Sequence, residues 1–382
     1  MKHEALAWSR PPAAIFQIRR KQLFYVLSAV VISAFLFFHV ALSPRRAQAV
    51  LKNAGPYKGP VAVATFLGGH TEGHEDDRDD EDTYFVGARL LAYQLIHAPR
   101  TRLEGSVPFL VVVGPNVRES KRQRLRDDGA IVVPVDSVEH NLTIQVHRWD
   151  DTFTKLRLFD SDVVPYERVL LVDTDIVLTR PIDAIFRDPN AYPMMTLKKP
   201  DPRDSTSGAA PTNPLGDADD SDDSDDSDGS LAEQRKMPDN FMIAATPETM
   251  IRHHEYPFRD PDHSIKIFNS GFLMYQPSRE IFKYYISLLD VADRWYEGGP
   301  DQNLLNYAHR YTGPMPWRRL DTTWHINWPH DEDLAGGMAT LHVKWWSNEQ
   351  VTEKVKDFAA ARRWEMEGYW SAKEMKVTTT TA

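Results

Sequence analysis

Short apolar runs bounded by Gly, Pro or charged residues recur along the first half of the chain. They are "VAVATFL" (Val61 to Leu67), "PFLVVVG" (Pro108 to Gly114), "AIVVPV" (Ala130 to Val135) and "RVLLVD" (Arg168 to Asp173). Runs without polar alternation suit strands covered on both faces. Between them lie helical patterns: Thr83 to His97 with Asp82 or Thr83 as cap, "NVRESKRQRLRDDG" ending at Gly129, and Thr152 to Ser161. Strand alternating with helix predicts an α/β domain around a mainly parallel sheet with right-handed crossovers.

Ligands of such sheets gather at the carboxyl ends of the strands. Asp173 and Asp175 of "RVLLVDTDIVLTRPIDAIF" fall there, one residue apart, after an apolar strand and before "TRPI". Two carboxylates at i and i+2 on a bent strand end face one hard divalent cation, which completes its shell with water and substrate phosphates.

The pattern lapses from Lys198 to Met237, a segment rich in Pro, Gly, Ser and Asp. It is expected to be a disordered surface insertion within a domain that resumes at "NFMIAA" (Asn240 to Ala245). Its "DADDSDDSDDSDGS" run (Asp217 to Ser230) carries most of the formal net charge of −10, and "HEDDRDDED" (His74 to Asp82) reads as a second solvated acidic loop. This balance, with no basic stripe, excludes a nucleic-acid partner.

The N-terminus bears on the compartment. Residues 1–22 read as a tail, and Leu23 to Ser43 is an uncharged apolar stretch long enough to span a hydrocarbon core of roughly 30 Å. It is too long for an ordinary signal-peptide core, so a transmembrane signal anchor is expected. Residues 44–60 would be a stem, 61–350 the catalytic domain, and 351–382 a helical extension and tail. Arg19, Arg20 and Lys21 precede the span, while Arg45 and Arg46 follow it, so charge orients it weakly. The length of the C-terminal region favours a type II protein with a luminal domain. Asn141-Leu142-Thr143, a glycosylation acceptor, agrees. One span and a stem before the domain suggest the Golgi membrane.

Three further segments stand in order downstream: "FNSGFLMYQPS" (Phe268 to Ser278), "GGPDQNLLN" (Gly298 to Asn306) and "LHVKWW" (Leu341 to Trp346). With "TFTKLRLFDSDVVPYERVLLVDTDIVLTRPIDAIF" (Thr152 to Phe186) they resemble glycosyltransferase family 8, the glycogenin-like retaining transferases, and in particular its membrane-anchored fungal members. The resemblance implies a GT-A-type nucleotide-sugar-binding fold. It also implies that Asp173, Asp175 and His342 ligate manganese, and that Thr174 lies within the donor site. Lys344 would contact the donor diphosphate and Lys155 would stand near the donor. Asn269, Ser270 and Gly271 would line the sugar pocket, Asp301 and Gln302 would flank the anomeric carbon, and Ala64, Thr65 and Phe66 would border the uracil. One departure stands out: His342-Val343-Lys344 is shorter than the family's spacing and runs into Trp345-Trp346.

The implied reaction moves a hexose or N-acetylhexosamine from a UDP-sugar to a glycan or glycoprotein acceptor, with retention and by same-face transfer. N-acetylglucosamine is the favoured donor sugar, and a homo-oligomer is allowed. Two other classes fit parts of the pattern. An aspartyl-phosphate phosphohydrolase also uses D-x-D after an apolar strand, with the first Asp as nucleophile. A lectin-like scaffold would keep the fold without the chemistry. Asp301 also reads as the N-cap of "QNLLNYAHR". Trp317, Trp324, Trp328, Trp345 and Trp346 read mainly as core, with one or two free to stack on an acceptor sugar.

Overall fold

The computed structural model describes residues 60–69, 82–105, 107–140, 152–198, 233–249, 254–289, 300–347 and 351–380. Of two compact units, Met1–Pro56 and Tyr57–Ala382, only the second contains described residues. The anchor at Leu23 to Ser43, the Asn141 acceptor and the acidic run lie outside them. Among the described residues no helix is long and apolar enough to cross a membrane.

In chain order the elements are β1 (Val61–Leu67), α1 (Thr83–Ala92), β2 (Phe109–Val113), α2 (Glu119–Asp127) and β3 (Ile131–Pro134). A 3-10 helix at Thr152–Phe159 precedes β4 (Arg168–Val172) and β5 (Ile176–Leu178). Then come β6 (Met194–Met195), β7 (Asn240–Phe241), β8 (Ile243–Pro247), β9 (Phe268–Tyr275), α3 (Arg279–Leu289) and α4 (Pro300–Ala308). The last are β10 (Arg318–Arg319), β11 (His325–Ile326), α5 (Asp331–Gly336), β12 (Thr340–His342) and α6 (Glu353–Thr380).

Seven strands form one sheet in the order β10-β8-β9-β4-β1-β2-β3. Only β9 runs against its neighbours, so the mainly parallel α/β arrangement expected of a GT-A-type fold is present. β1 and β2 are buried along almost their whole length, as their unbroken apolar runs require. A smaller sheet, β11-β12-β5, grows from the end of β4. One core cluster joins Ala62, Ala64 and Leu171 of the large sheet to Phe153, Tyr284 and Leu304. A second joins Val86 and Leu90 of α1 and Leu341 of β12 to Val355, Ala359, Met366 and Trp370, a helical stripe on α6.

Several expectations need correction. Asp82 is not part of a solvated acidic loop: it is buried, caps α1 by accepting from Phe85 N–H at 3.0 Å, and takes the Lys121 ammonium at 2.6 Å. The insertion is ordered at its end, because Glu233 accepts from the Tyr284 and Tyr307 hydroxyls and Met237 is buried. "NFMIAA" is two strands broken at Met242, β7 pairing with β6 and β8 with β9 and β10. Asp301 lies inside the first turn of α4 rather than at its cap.

Candidate active site

The Asp173-Thr174-Asp175 segment is the corner where the chain leaves one sheet for the other. β4 pairs antiparallel with β9 through Val172 and Phe272, and Asp173 N–H then donates to the Gly271 carbonyl at 2.8 Å. Two residues on, the Asp175 carbonyl accepts from Val343 N–H at 2.8 Å, and β5 begins. Pairing of β5 with β12 sets His342 opposite Ile176, beside Asp175. The three side chains meet from opposite ends of the chain, with ligand atoms all within 4.8 Å of one another.

Two glycines make this corner possible. A Cβ on Gly87 of α1 would collide with the Thr174 carbonyl, so the helix and the corner touch through backbone. A Cβ on Gly271 would stand 2.9 Å from Asp173 Oδ2 and 3.0 Å from His342 Cε1, filling the space between them.

The charges here are coupled. Burial raises the Asp173 pKa, and Lys155 offsets this only in part, so its carboxyl sits above the usual range. For Asp175 burial also works upward, but His342, 2.9 Å away, and then Lys344, at 3.8 Å, win and hold the carboxylate well below its ordinary value. Burial alone would lower His342, yet Asp175 overrides it and pushes the imidazole up. Lys155, in the 3-10 helix, bridges Asp173 at 2.9 Å and Asp301 at 3.0 Å; burial works to discharge it and the two carboxylates prevent that.

Two carboxylates and an imidazole form a donor set suited to manganese or a similar divalent ion. The space that only glycine leaves at position 271 fits such an ion. The His342 nitrogen beside the carboxylates is Nε2, 2.9 Å from Asp175 Oδ1, while its Nδ1 is buried without a hydrogen-bond partner.

Beside this cluster stands a polar pocket. Ser270 N–H donates to the Gln302 amide oxygen at 3.0 Å, and the Ser270 hydroxyl donates to Asp301 Oδ2 at 3.1 Å. Asn269 Oδ1 accepts from Gly271 N–H at 2.9 Å. The structure therefore unites Lys155, Asp173, Asp175, Asn269, Ser270, Gly271, Asp301, Gln302, His342 and Lys344. Ala64 and Thr65 are fully buried within β1, whose register with β4 places Phe66 level with Asp173.

Sequence reasoning missed the residues behind this layer. Glu248 is buried and its Oε2 accepts from Asn269 Nδ2 at 2.9 Å and Gln302 Nε2 at 3.1 Å, while its Oε1 accepts from Asn327. It stands just past β8, which runs in the same direction as β4, and that placement shows only in the fold. His325 stacks on Phe272 at 4.8 Å beside His342, and burial drives its pKa well below the usual value, so it is neutral. Of the tryptophans, Trp317 and Trp324 are core, whereas Trp346 meets the half-exposed Tyr84 edge-on at 5.2 Å.

No family model matches the chain. It is 29% identical over 289 residues to one uncharacterized protein of Schizosaccharomyces pombe, covering 70% of this chain and 69% of the relative. A second uncharacterized protein of that organism is 26% identical over 279 residues, covering 70% of each. A 94-residue stretch, 24% of this chain, is 29% identical to galactinol synthase 5 of Arabidopsis thaliana, of which it covers 28%. Similar solved structures are glycosyltransferases. The bifunctional glycosyltransferase WbbM has a TM-score of 0.45 at 13% identity, over 82% of this chain and about half (52%) of that one. Mouse xyloside xylosyltransferase 1 has a TM-score of 0.40 at 14% identity, over 75% and 98%. At these values the functional reading rests on the chain's own side chains.

Proposed function

We propose that the protein is a retaining, manganese-dependent glycosyltransferase that moves a hexose or N-acetylhexosamine from a UDP-sugar to a glycan or glycoprotein acceptor. We place it as a type II protein of the Golgi membrane with its domain in the lumen. The observation that carries the reading is the meeting of Asp173, Asp175 and His342 at the carboxyl end of β4, flanked by Lys344 and Lys155. Asp173, Asp175 and His342 would hold the metal, which would supply positive charge to the donor diphosphate. Lys344 lies beside Asp175 and is about one-third exposed, so it is free to meet phosphate oxygens as negative charge builds on the leaving group.

The polar pocket favours same-face transfer. The amide oxygen of Gln302 already accepts from Ser270, and its amide nitrogen is given to Glu248, so Gln302 orients rather than attacks. Asp301 is held by Lys155 and Ser270 and would position a sugar hydroxyl. The phosphohydrolase alternative needs an acidic pair on a further strand; among the described residues the group completing the Asp173–Asp175 cluster is a histidine.

The test is turnover of a panel of UDP-sugars by the full chain, with and without manganese. One sugar released only with metal, and not by Asp175→Asn, supports the reading. Failure of every UDP-sugar to bind, with metal or without, would sink it.

A further inference from the structure

A second cluster of metal-ligating side chains lies outside this site. His254, His330 and Asp333 bring one ligand atom each within 4.8 Å of one another. Asp333 sits in the first turn of α5 with its side chain 0% exposed, and its neighbours are nearly as dry, His254 at 5% and His330 at 13%. A carboxylate taken wholly out of water needs a cation beside it. No lysine or arginine pairs with Asp333 among the described residues; its partners are the two imidazoles and the His330 backbone N–H at 2.9 Å.

The imidazoles are presented as ligands. His330 Nε2 bonds the His254 carbonyl, which places the proton on Nε2 and leaves the Nδ1 lone pair on the side of Asp333, 3.7 Å from its Oδ2. That lone pair accepts from Glu332 N–H at 3.2 Å as the cap of α5, a hydrogen bond that a bound ion would replace. His254 Nε2 stands 3.1 Å from both Asp333 oxygens. Around a tetrahedral zinc with bonds of about 2.0–2.1 Å, neighbouring ligand atoms are roughly 3.3 Å apart. The two spacings to Asp333 bracket that value, the third lies within 4.8 Å, and two imidazoles with one carboxylate form a donor set that zinc takes readily.

We infer that His254, His330 and Asp333 form a second, structural site for a divalent transition metal, with zinc the best fit. The ion would tie the His254 segment to α5, just ahead of the strand that carries His342.

The test uses the full chain, stripped with chelator and reloaded with Zn2+ or Co2+ alone, in wild type, His254→Gln, His330→Asn and Asp175→Asn. Asparagine at 330 keeps a helix-capping side chain, so a change in metal binding there is separable from loss of the cap. Wild type should hold one more equivalent of zinc than His330→Asn or His254→Gln, with affinity at this site falling at least about 100-fold in either. The visible Co2+ bands of a tetrahedral site and a zinc-dependent rise in Tm should survive Asp175→Asn and vanish in His330→Asn. Equal zinc content in wild type and His330→Asn, or Co2+ bands abolished by Asp175→Asn alone, would overturn the assignment.

Discussion

Replacing Glu248 by glutamine tests whether the pocket behind the metal cluster is held by charge. The swap keeps the shape and turns one acceptor oxygen into an NH2 group. If the new amide nitrogen takes the Oε2 position, it faces the donors of both Asn269 and Gln302; at Oε1 it faces Asn327 alone. The second arrangement costs less, yet Asn327 cannot simply turn round, because its Oδ1 accepts from Thr249 N–H at 2.9 Å. One hydrogen bond to a charged group, worth roughly 1.5–3 kcal/mol, is lost, and a buried donor goes unmet at roughly 1–3 kcal/mol more. A loss of about 3 kcal/mol follows, equivalent to about 4–5 °C in Tm for a domain of this size. Differential scanning calorimetry reads this directly. Because Asn269 and Gln302 are the groups released, donor turnover should also fall roughly 10–100-fold. A Tm within 1 °C of wild type together with unchanged turnover would refute the argument that Glu248 organises the pocket.

Three further outcomes are expected. Asp175→Asn removes the carboxylate that both His342 and Lys344 face, and should lower metal-dependent turnover roughly a thousandfold, with manganese titration showing the weakened ion. Gly87→Ala should push the Thr174 carbonyl away from α1 and weaken manganese binding while far-UV circular dichroism stays native; unchanged binding would show that the helix does not set the corner. His309 is neutral in the fold, donating Nδ1–H to the Met315 carbonyl and taking the Tyr285 hydroxyl on Nε2, and burial lowers its pKa from 6.5 to about 4. Its unfolded form binds the proton first as pH falls, so this stability is complete above pH 6.5. About 3 kcal/mol should be lost between pH 6.5 and 4 on this account, and denaturant melts across that window should show a total loss about 3 kcal/mol smaller in His309→Gln than in wild type, the slope from His325 remaining in both.

The strands were legible where the physics is local. β1, β2 and β4 are buried on both faces, so their apolar runs are unbroken and their ends marked by glycine or charge. Asp173, Asp175 and His342 were legible because a motif order carries them. Glu248 and Asn327 were not, since one acid and one amide far apart in the chain show no spacing, and only the course of β8 and the fold of the C-terminal region bring them together. Asp82 was legible as the cap of α1 but was also counted into a solvated acidic loop, because composition averages over a window while its burial depends on Lys121 on another helix. For the same reason His254, His330 and Asp333 were passed over: their association is a tertiary contact across more than seventy positions.

The corner at Asp173-Thr174-Asp175 shows why the motif alone is a weak signal and the fold a strong one. Two carboxylates at i and i+2 on a straight strand share a face but stand about 6.5–7 Å apart, too far to clasp one ion. Here the strand breaks between them: Asp173 finishes a pairing with β9 and Asp175 begins a pairing with the segment after β12, so the backbone turns and the side chains converge. The turn persists because its hydrogen bonds belong to two different sheets, and because Gly87 lets a helix press on its middle residue. The third ligand arrives with the second sheet, since the β5–β12 register that bends the chain after Asp175 is the same register that delivers His342. Metal geometry and sheet topology are therefore one constraint, and a slip of β12 by one residue would turn His342 to the opposite face while leaving both aspartates in place.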